Sequence, residues 1–535
     1  MNLCSVLLLA GAVFTSAVTT NARPGELWLY CSQNLWVDKN IEELAALFTR
    51  AAKAGYSHVL LADSKFSKLG DMDARYFRNV ERVKKKAAEL RLEIVPALFS
   101  VGYSNDLLWH DPNLIEALPV KNALFEVQNG EARLRAEPAP ALRGADFSDL
   151  KQWTWKDDLV QSDAGAARIH DPKGQNARIV QALKLEPFRQ YHFSVRVKTE
   201  QFRGTPEVKL LAGNRALNYN ALGVKPTQDW ATHHVVFNSL VYTNVNLYLG
   251  CWGGGTGSLW FDDARLEEVG LLNLVRRPGA PLRIRREGGT ELVEGKDFER
   301  VTDPQMGNKP WNGAYDVWHE PPAIRTTLPN GTRLRVSYYH AVTIHDDQAM
   351  ICPSEPKTVE LLRDQARRMH AAWGAKGYMM SHDEIRVLNW CQACEQRSLE
   401  AGAILADNVR TCIRILREVN PGGRIYVWSD MFDPHHNARD DYYLVRGNLE
   451  GSWEGLDSEV IIVPWYFEKR EASLKWFAER GHQQLIAGYY DHRPEQVRQW
   501  LDAAAKVKGV LGVMYTTWQR KYSDLEPFAE FVLSE

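Results

Sequence analysis

Cysteine is scarce in this chain: seven in 535 residues is too few for a scaffold stapled by disulfides. A dominant charge is missing too. Lys and Arg nearly cancel Asp and Glu, and the net charge of -2 makes no electrostatic case for nucleic acid or an anionic membrane as partner. An apolar run at the extreme N-terminus is too short to span a bilayer, and no later stretch qualifies. There is no phosphate loop, no dinucleotide fingerprint and no Gly-x-Ser-x-Gly elbow, so no cofactor is expected. No metal is expected either. Cys391-x-x-Cys394 is the one cysteine pair at ligand spacing, and a zinc site would need two more ligands that the sequence does not offer nearby. A local disulfide or two plain thiols is the simpler reading of that pair.

What is present begins with residues 4–22, which read as a secretory signal. An apolar run over 6–18 is followed by Thr20-Asn21-Ala22 as a small-residue cleavage site. The protein is accordingly expected outside the cytoplasm, secreted or periplasmic, with residues 1–22 removed. At 45% hydrophobic and 25% charged the remainder has an ordinary globular balance, and its length implies at least two domains. Tryptophan is abundant, 18 beside 20 tyrosines. Core filling accounts for most of them, and flat apolar platforms for sugar rings need only a few.

From residue 26 apolar strands alternate with amphipathic helices: strand 27–31, helix 41–54, strand 58–62, helix 76–90, strand 93–98. Such alternation predicts a parallel sheet covered on both faces. Between about 136 and 270 no helix pattern is found, only short alternating segments (191–197, 234–237, 245–249) broken by Gly and Pro, which predict a β-sandwich. Residues 271–330 look turn-rich and β-rich, a connector. The α/β pattern returns at 333–340 and continues through helices 357–372 and 401–419 and strands 378–381, 425–428, 460–463, 485–490 and 509–515. The expected fold is a (β/α)8 barrel, residues 23–135 and 331–535, with a jelly-roll-like β-sandwich inserted after its third strand. There are nine strand candidates for eight places. Either 333–340 or the first strand must lie elsewhere.

The chemistry concentrates at strand exits. Residues 377–386 read Gly-Tyr-Met-Met-Ser-His-Asp-Glu-Ile-Arg, an apolar strand running into His382, Asp383 and Glu384. Charges at the tip of a buried strand are costly unless they are used, and in a barrel of parallel strands the C-terminal ends carry the chemistry. Other strands end in Trp428 and Asp430, in Trp465, in Tyr489, Tyr490 and Asp491, and in Trp518. Carboxyls and aromatics converging on one pocket fit glycosidic bond cleavage, whose oxocarbenium-like transition state needs a proton donor and electron density at the anomeric carbon. Because neighbouring residues are poorly placed to flank a bond from opposite sides, two routes stay open. Either Asp430 or Asp491 partners Glu384, or the substrate's own 2-acetamido group attacks. A neighbouring charge and partial burial would keep Glu384 protonated as the acid. A non-catalytic glycan-binding protein on a degenerate barrel is the reading from another class. His345-Asp346-Asp347 and His435-His436 could ligate a metal, although such clusters more often bind sugar or cap helices. Tyr338, Tyr339 and His340 would join the pocket rim only if their strand lies in the barrel.

The ordered set of a central strand ending Asp-Glu, then Trp, then Tyr-x-Asp, then Trp resembles glycoside hydrolase family 20, the β-N-acetylhexosaminidases, over residues 378–518. The resemblance implies Glu384 as general acid/base, Asp383 orienting the acetamido group and Tyr489 donating to its carbonyl. It further implies Asp491 on sugar hydroxyls and Trp428, Trp465 and Trp518 as walls, with His382, Asp430 and Tyr490 as further substrate-binding candidates. It departs from the family where Ser381-His382 replaces Gly-Gly and where the long insertion falls. Residues 258–266 are similar to the last strand of jelly-roll carbohydrate-binding modules. A glycan or glycoconjugate is the expected partner.

Overall fold

In a computed structural model of the chain the described residues are 25–534, except 314, 316 and 346. The expected secretory signal, with Cys4, lies outside them, as does Asp346. Eight parallel strands close into a barrel in the order Glu26–Ser32, His58–Ala62, Glu93–Leu98, Gly377–Met380, Arg424–Trp428, Ile461–Val463, Gln484–Ala487 and Val510–Tyr515. Every neighbouring pair is parallel. One face of each strand fills the interior with Trp28, Leu60, Val95, Met379, Tyr426, Ile461, Leu485 and Met514. The other face packs on helices that follow or precede the strands, among them Asp38–Lys53, Ala74–Glu89, Pro356–Trp373 and Ala401–Val419. Side chains of a strand alternate between two faces, so strands buried on both sides read as continuous apolar runs. Between the fifth and sixth strands there is no α-helix. Short 3-10 turns and the two-residue strand Leu444–Val445, which pairs with Val387–Leu388, take its place.

The ninth strand candidate lies outside the barrel. Arg333–His340 pairs antiparallel with Leu118–Gln128 in a separate five-stranded sheet. Residues 118–134 and 333–340, expected within the two barrel segments, therefore belong to a sheet that the stretch expected to be a connector completes through Arg283–Arg286 and Ile324–Arg325. Tyr338 and His340 are consequently buried away from the barrel mouth. Tyr338 donates to Gln190 Oε1 at 3.1 Å, and His340 Nε2 meets Asn238 at 3.0 Å.

The segments expected as short strands between 136 and 270 are longer than their patterns implied. Gln190–Ala212 and Asn244–Val269 are strands of 23 and 26 residues. The first half of Gln190–Ala212 pairs with Gln228–Asn238 and the second half with Arg215–Ala221. Each long strand thus serves two pairing sets, with register shifts between them at Glu200/Arg203 and Gly204/Pro206. The glycines that read as strand breaks are bends within one strand. At Gly257 the backbone is left-handed, φ 83°, and a Cβ would lie 2.2 Å from the Gln201 carbonyl oxygen.

The neck of the insertion presses on the end of the fourth barrel strand. Val101 N donates to Ser381 O at 3.1 Å. A Cβ on Gly102 would stand 1.8 Å from Asp383 O, so only glycine lets the two backbones approach this closely. Gly102→Ala is expected to cost about 1–3 kcal/mol of stability, read as a lower urea midpoint. Gly223→Ala, in open space, serves as the control. Equal midpoints for the two variants would contradict the close contact.

Candidate active site

Alternation of side chains decides which residues of the fourth strand reach the barrel mouth. Met379 points inward, and Tyr378 and Met380 point to the helices. Beyond the strand, Ser381 opens to a cavity. His382, expected to contact substrate, points outward instead. It is fully buried, its Nε2 lies 3.1 Å from Asn408 Oδ1 on helix Ala401–Val419, and its ring tilts against Phe432. Asp383 faces the cavity in turn.

Glu384 would face away if the strand continued, and it does not. Its φ is +50°, a left-handed backbone that side-chain-bearing residues seldom adopt and that costs of order 1–3 kcal/mol. Surrounding groups fix it. Glu384 N donates to Asp430 Oδ2 at 2.9 Å, and Glu384 O accepts from Gln348 Nε2 at 2.9 Å. The same Gln348 nitrogen reaches Gly102 O at 2.8 Å. The turn brings two consecutive carboxyls into one cavity.

That cavity has a volume of about 850 Å³. Trp428, Trp465, Tyr490 and Trp518, from the exits of the last four strands, form one side of it together with Tyr30 from the first. Trp465 and Tyr490 lie parallel, 5.7 Å apart and 3° from coplanar, while Trp518 sits 5.6 Å from Trp428 and 5.1 Å from Tyr30. Tyr489 is the other residue that the structure moves out of the site. The seventh strand ends at Ala487, sooner than the run 485–490 implied, and Tyr489 is turned to the helices, stacked on Tyr515 and donating to Asp524 at 2.7 Å. Tyr490 takes the place on the cavity wall.

The two carboxylates considered as partners for Glu384 are both committed to other donors. Asp430 is fully buried behind Glu384, where it accepts from Glu384 N, from Asn437 Nδ2 at 3.0 Å and from Trp465 Nε1 at 3.4 Å. Asp491 reaches the cavity wall but accepts from Thr517 Oγ1 at 2.5 Å, Trp518 N at 2.8 Å and Gln519 N at 3.3 Å. It shapes the loop that presents Trp518.

Electrostatics separate the adjacent pair. Asp383 lines the cavity together with Tyr30 and is half-buried, with protein packed round its carboxyl. This desolvation, reinforced by Asp430 and Glu384, pushes its carboxyl up to about 8. Burial and Glu384 likewise push Asp430 up to about 7, against the hydrogen bond from Glu384 N. Glu384, nearer the rim, is ion-paired: Arg386 Nη2 lies 2.7 Å from its Oε1, and the exposed Tyr103 hydroxyl donates to Oε2. Arg386 is itself buried and also donates to Gln348. The sequence reading passed over Tyr103, Arg386 and Gln348. Arg386 is two positions from Glu384 within the quoted stretch, but nothing in its pattern says which carboxylate it meets, and Tyr103 and Gln348 lie far off in sequence, in the segments that lead into and out of the insertion.

The far side of the cavity includes Asp63, Asp106 and His345. His436 packs between Trp465 and Tyr466 at 4.4 Å from each. The only groups among the described residues placed as a set of metal ligands lie away from the cavity, where Glu116 and Cys352 join Cys391 and Cys394. That overturns the expectation that the cysteine pair lacks further ligands. None of the described cysteines forms a disulfide. No helix among the described residues is long and apolar enough to cross a membrane.

No protein-family model and no curated protein matches the chain. Solved structures similar to it include a rhamnosidase from Novosphingobium sp. PP1Y, at 12% identity and TM-score 0.35 over 95% of this chain and 58% of that one. A family 20 exo-β-N-acetylglucosaminidase from Vibrio harveyi is similar at 14% identity and TM-score 0.25, over 35% of this chain and 33% of that one. A CBM4 carbohydrate-binding module is similar at 19% identity and TM-score 0.19, over 21% of this chain and 77% of that one. Glycosidases and carbohydrate-binding modules therefore stand among its structural neighbours, at a likeness too low to say what this chain acts on.

The raised Asp383 carboxyl has a measurable consequence. An unfolded Asp releases its proton near pH 4, whereas the folded protein keeps it to about 8. The native state then binds the extra proton between those values, so this group's contribution to stability is present below about pH 4 and is lost as pH rises through about 8. Asp383→Asn removes that loss, and its urea midpoint relative to the parent is expected to be higher at pH 8 than at pH 5. The reverse order would show that Asp383 is not the group holding the proton.

Proposed function

We propose that the protein is a secreted glycoside hydrolase working at the mouth of a (β/α)8 barrel, with the antiparallel segments between the third and fourth strands as an inserted β-sandwich of jelly-roll type. Within that class we read it as an exo-acting, retaining β-N-acetylhexosaminidase-like enzyme assisted by its substrate. One observation carries this reading: Asp383 and Glu384, consecutive in sequence, open into a single aromatic-walled cavity, while Asp430 and Asp491 are engaged by other donors. The alternative of a two-carboxylate glycosidase using either aspartate loses support for that reason. On the far side Asp63 accepts from Leu35 N and Tyr76, and Asp106 is paired with Lys68 at 3.8 Å, so in this reading electron density at the anomeric carbon comes from the sugar's own 2-acetamido oxygen.

The surroundings of each carboxyl assign its role: Asp383 is desolvated, and Glu384 is held by Arg386 and the exposed Tyr103. A terminal sugar seats its apolar face on the Trp428, Trp465, Tyr490 and Trp518 rings, with its acetamido group inward beside Asp383. Its leaving oxygen then points to the rim, where Glu384 and Tyr103 lie. In the free protein desolvation favours the neutral form of Asp383. An amide N–H donated to Asp383 favours that residue's charged form, while Glu384 delivers its own proton to the departing oxygen. As the acetamido oxygen attacks, the glycosidic bond breaks and a protonated oxazoline forms, its N–H held by the Asp383 carboxylate. Water then opens the oxazoline with Glu384 acting as base, and the anomeric configuration is retained. Arg386 holds Glu384 in place and balances its charge between the two steps. Tyr490 replaces the expected Tyr489 on the cavity wall.

Glu384→Gln is expected to lower kcat/KM about 10²–10⁴-fold on aryl β-N-acetylhexosaminides with weakly acidic aglycones, and much less where the phenol leaves without proton help. Binding of the sugar should remain measurable. A uniform loss across leaving groups would transfer the acid role to another residue. Unchanged turnover would remove Glu384 from the mechanism, and binding without turnover in the unmodified protein would favour the non-catalytic glycan binder.

A further inference from the structure

We propose that Glu116, Cys352, Cys391 and Cys394 bind a zinc ion in a closed structural site that fastens both ends of the long insertion to the loop leaving the catalytic strand. The four ligand atoms lie within 4.8 Å of one another and all four residues are buried. Cys352 Sγ stands 3.4 Å from Cys391 Sγ and 3.7 Å from Cys394 Sγ, while Glu116 Oε2 is 3.3 Å from Cys391 Sγ and 3.4 Å from Cys394 Sγ. A tetrahedral zinc with Zn–S of about 2.3 Å and Zn–O of about 2.0–2.2 Å has S···S edges of about 3.8 Å and S···O edges of about 3.5–3.7 Å. These four of the six edges come within a few tenths of an ångström of those values, and the other two lie within 4.8 Å. A disulfide needs about 2.05 Å between sulfurs and would leave one of the three thiols without a partner.

Glu116 is already oriented for the role. Its Oε1 accepts from the backbone N–H of Trp390 at 2.7 Å and of Cys391 at 2.8 Å, which leaves Oε2 facing the sulfurs. A carboxylate 1% exposed, with thiols as the only side chains on its second oxygen, is expensive to bury unless a cation meets it. Arg277 supplies positive charge to Glu116 and Cys391 from one side while also donating to Glu355 and to Ile115 O. Three sulfurs and one carboxylate suit a thiophilic d10 ion and exclude calcium and magnesium, which take oxygen shells. Four protein ligands leave no open position, as in structural rather than catalytic zinc sites.

The ligands come from places that need tying together. Glu116 lies on the way into the insertion and Cys352 on the way out, and the two strands of chain run side by side, with Cys352 N donating to Leu114 O and Glu116 N to Met350 O, both at 2.7 Å. Cys391 and Cys394 follow Glu384 and Arg386 on the excursion whose residues Val387–Leu388 pair with Leu444–Val445. A metal at this point holds the base of the loop that carries Arg386. The inference is independent of the proposed activity, because its evidence and its readouts are those of metal binding.

The test is elemental analysis of the full chain purified under reducing conditions without chelator, with X-ray absorption at the zinc edge. One zinc per chain is expected, with three sulfurs at about 2.3 Å and one oxygen at about 2.0–2.2 Å. Cys391→Ser and Cys352→Ser should lose it, and Cys412→Ser, a buried cysteine outside the cluster, should keep it. Stripping the metal with a chelator should lower Tm, because the ion's binding energy is part of the folding energy. If the serine variants fail to fold, cobalt(II) added to the stripped parent chain still reads the site through thiolate-to-metal charge transfer and tetrahedral d–d bands. Zinc at trace level together with no charge-transfer band on cobalt addition would overturn the proposal. So would a metal shell of oxygens alone, or a chain mass two hydrogens lower with two thiols lost to a disulfide.

Discussion

The backbone turn at Glu384 is the constraint on which the site depends. A strand continuing in regular conformation would send one of two consecutive carboxyls into the cavity and the other into the helices. The left-handed φ of +50° at Glu384 cancels the alternation for one residue, and the cost of that conformation is met by three hydrogen bonds from two directions. Asp430, from the next strand exit, accepts from Glu384 N, and Gln348, from the end of the insertion, donates both to Glu384 O and to Gly102 O. The same Asp430 gives up its availability as a catalytic carboxylate in doing so. What a sequence reading counts as a candidate nucleophile is here the support of the turn.

The insertion is therefore part of the site. Its entry supplies Gly102, which lets the backbones meet, and Tyr103, which donates to Glu384. Its exit supplies Gln348, and the buried Arg386 ties Gln348, Tyr103 and Glu384 together. The Glu116–Cys352–Cys391–Cys394 cluster lies at the base of this arrangement, where entry, exit and the loop that carries Arg386 come together. A cavity whose rim depends on contacts between distant segments gains from a rigid joint at that point, because misplacement by about 1 Å can cost about 10²-fold in rate.

Helices and strands were legible where burial repeats at a fixed period. Residues 401–419 were expected as a helix and form one with those bounds, and each barrel strand falls within a few residues of its apolar run. Side-chain direction beyond a strand end was not legible, because it depends on where the strand stops. The seventh strand stops at Ala487, which turns Tyr489 to the helices and Tyr490 to the cavity. His382 follows the strand's alternation outward, and Glu384 breaks it. Long-range partners were equally hidden: Tyr103 is 281 residues from Glu384, and Glu116 is 275 from Cys391. The cysteine pair looked short of ligands because the other two come from the neck of the insertion, which folding alone brings beside it. The long bent strands of the insertion read as short ones because their bends are glycines, the usual marks of turns.

The central claim is that Asp383 and Glu384 act on adjacent positions of one bound sugar, the 2-acetamido group and the glycosidic oxygen, and it is tested most directly by a crystal structure with a thiazoline analogue of N-acetylglucosamine. The account predicts the analogue's ring nitrogen within about 2.6–3.2 Å of Asp383, its methyl group among the Trp428, Trp465 and Trp518 rings, and the Glu384 carboxyl on the side from which an aglycone would leave. An analogue that binds away from both carboxyls, or one that leaves the cavity empty at saturating concentration, would contradict it.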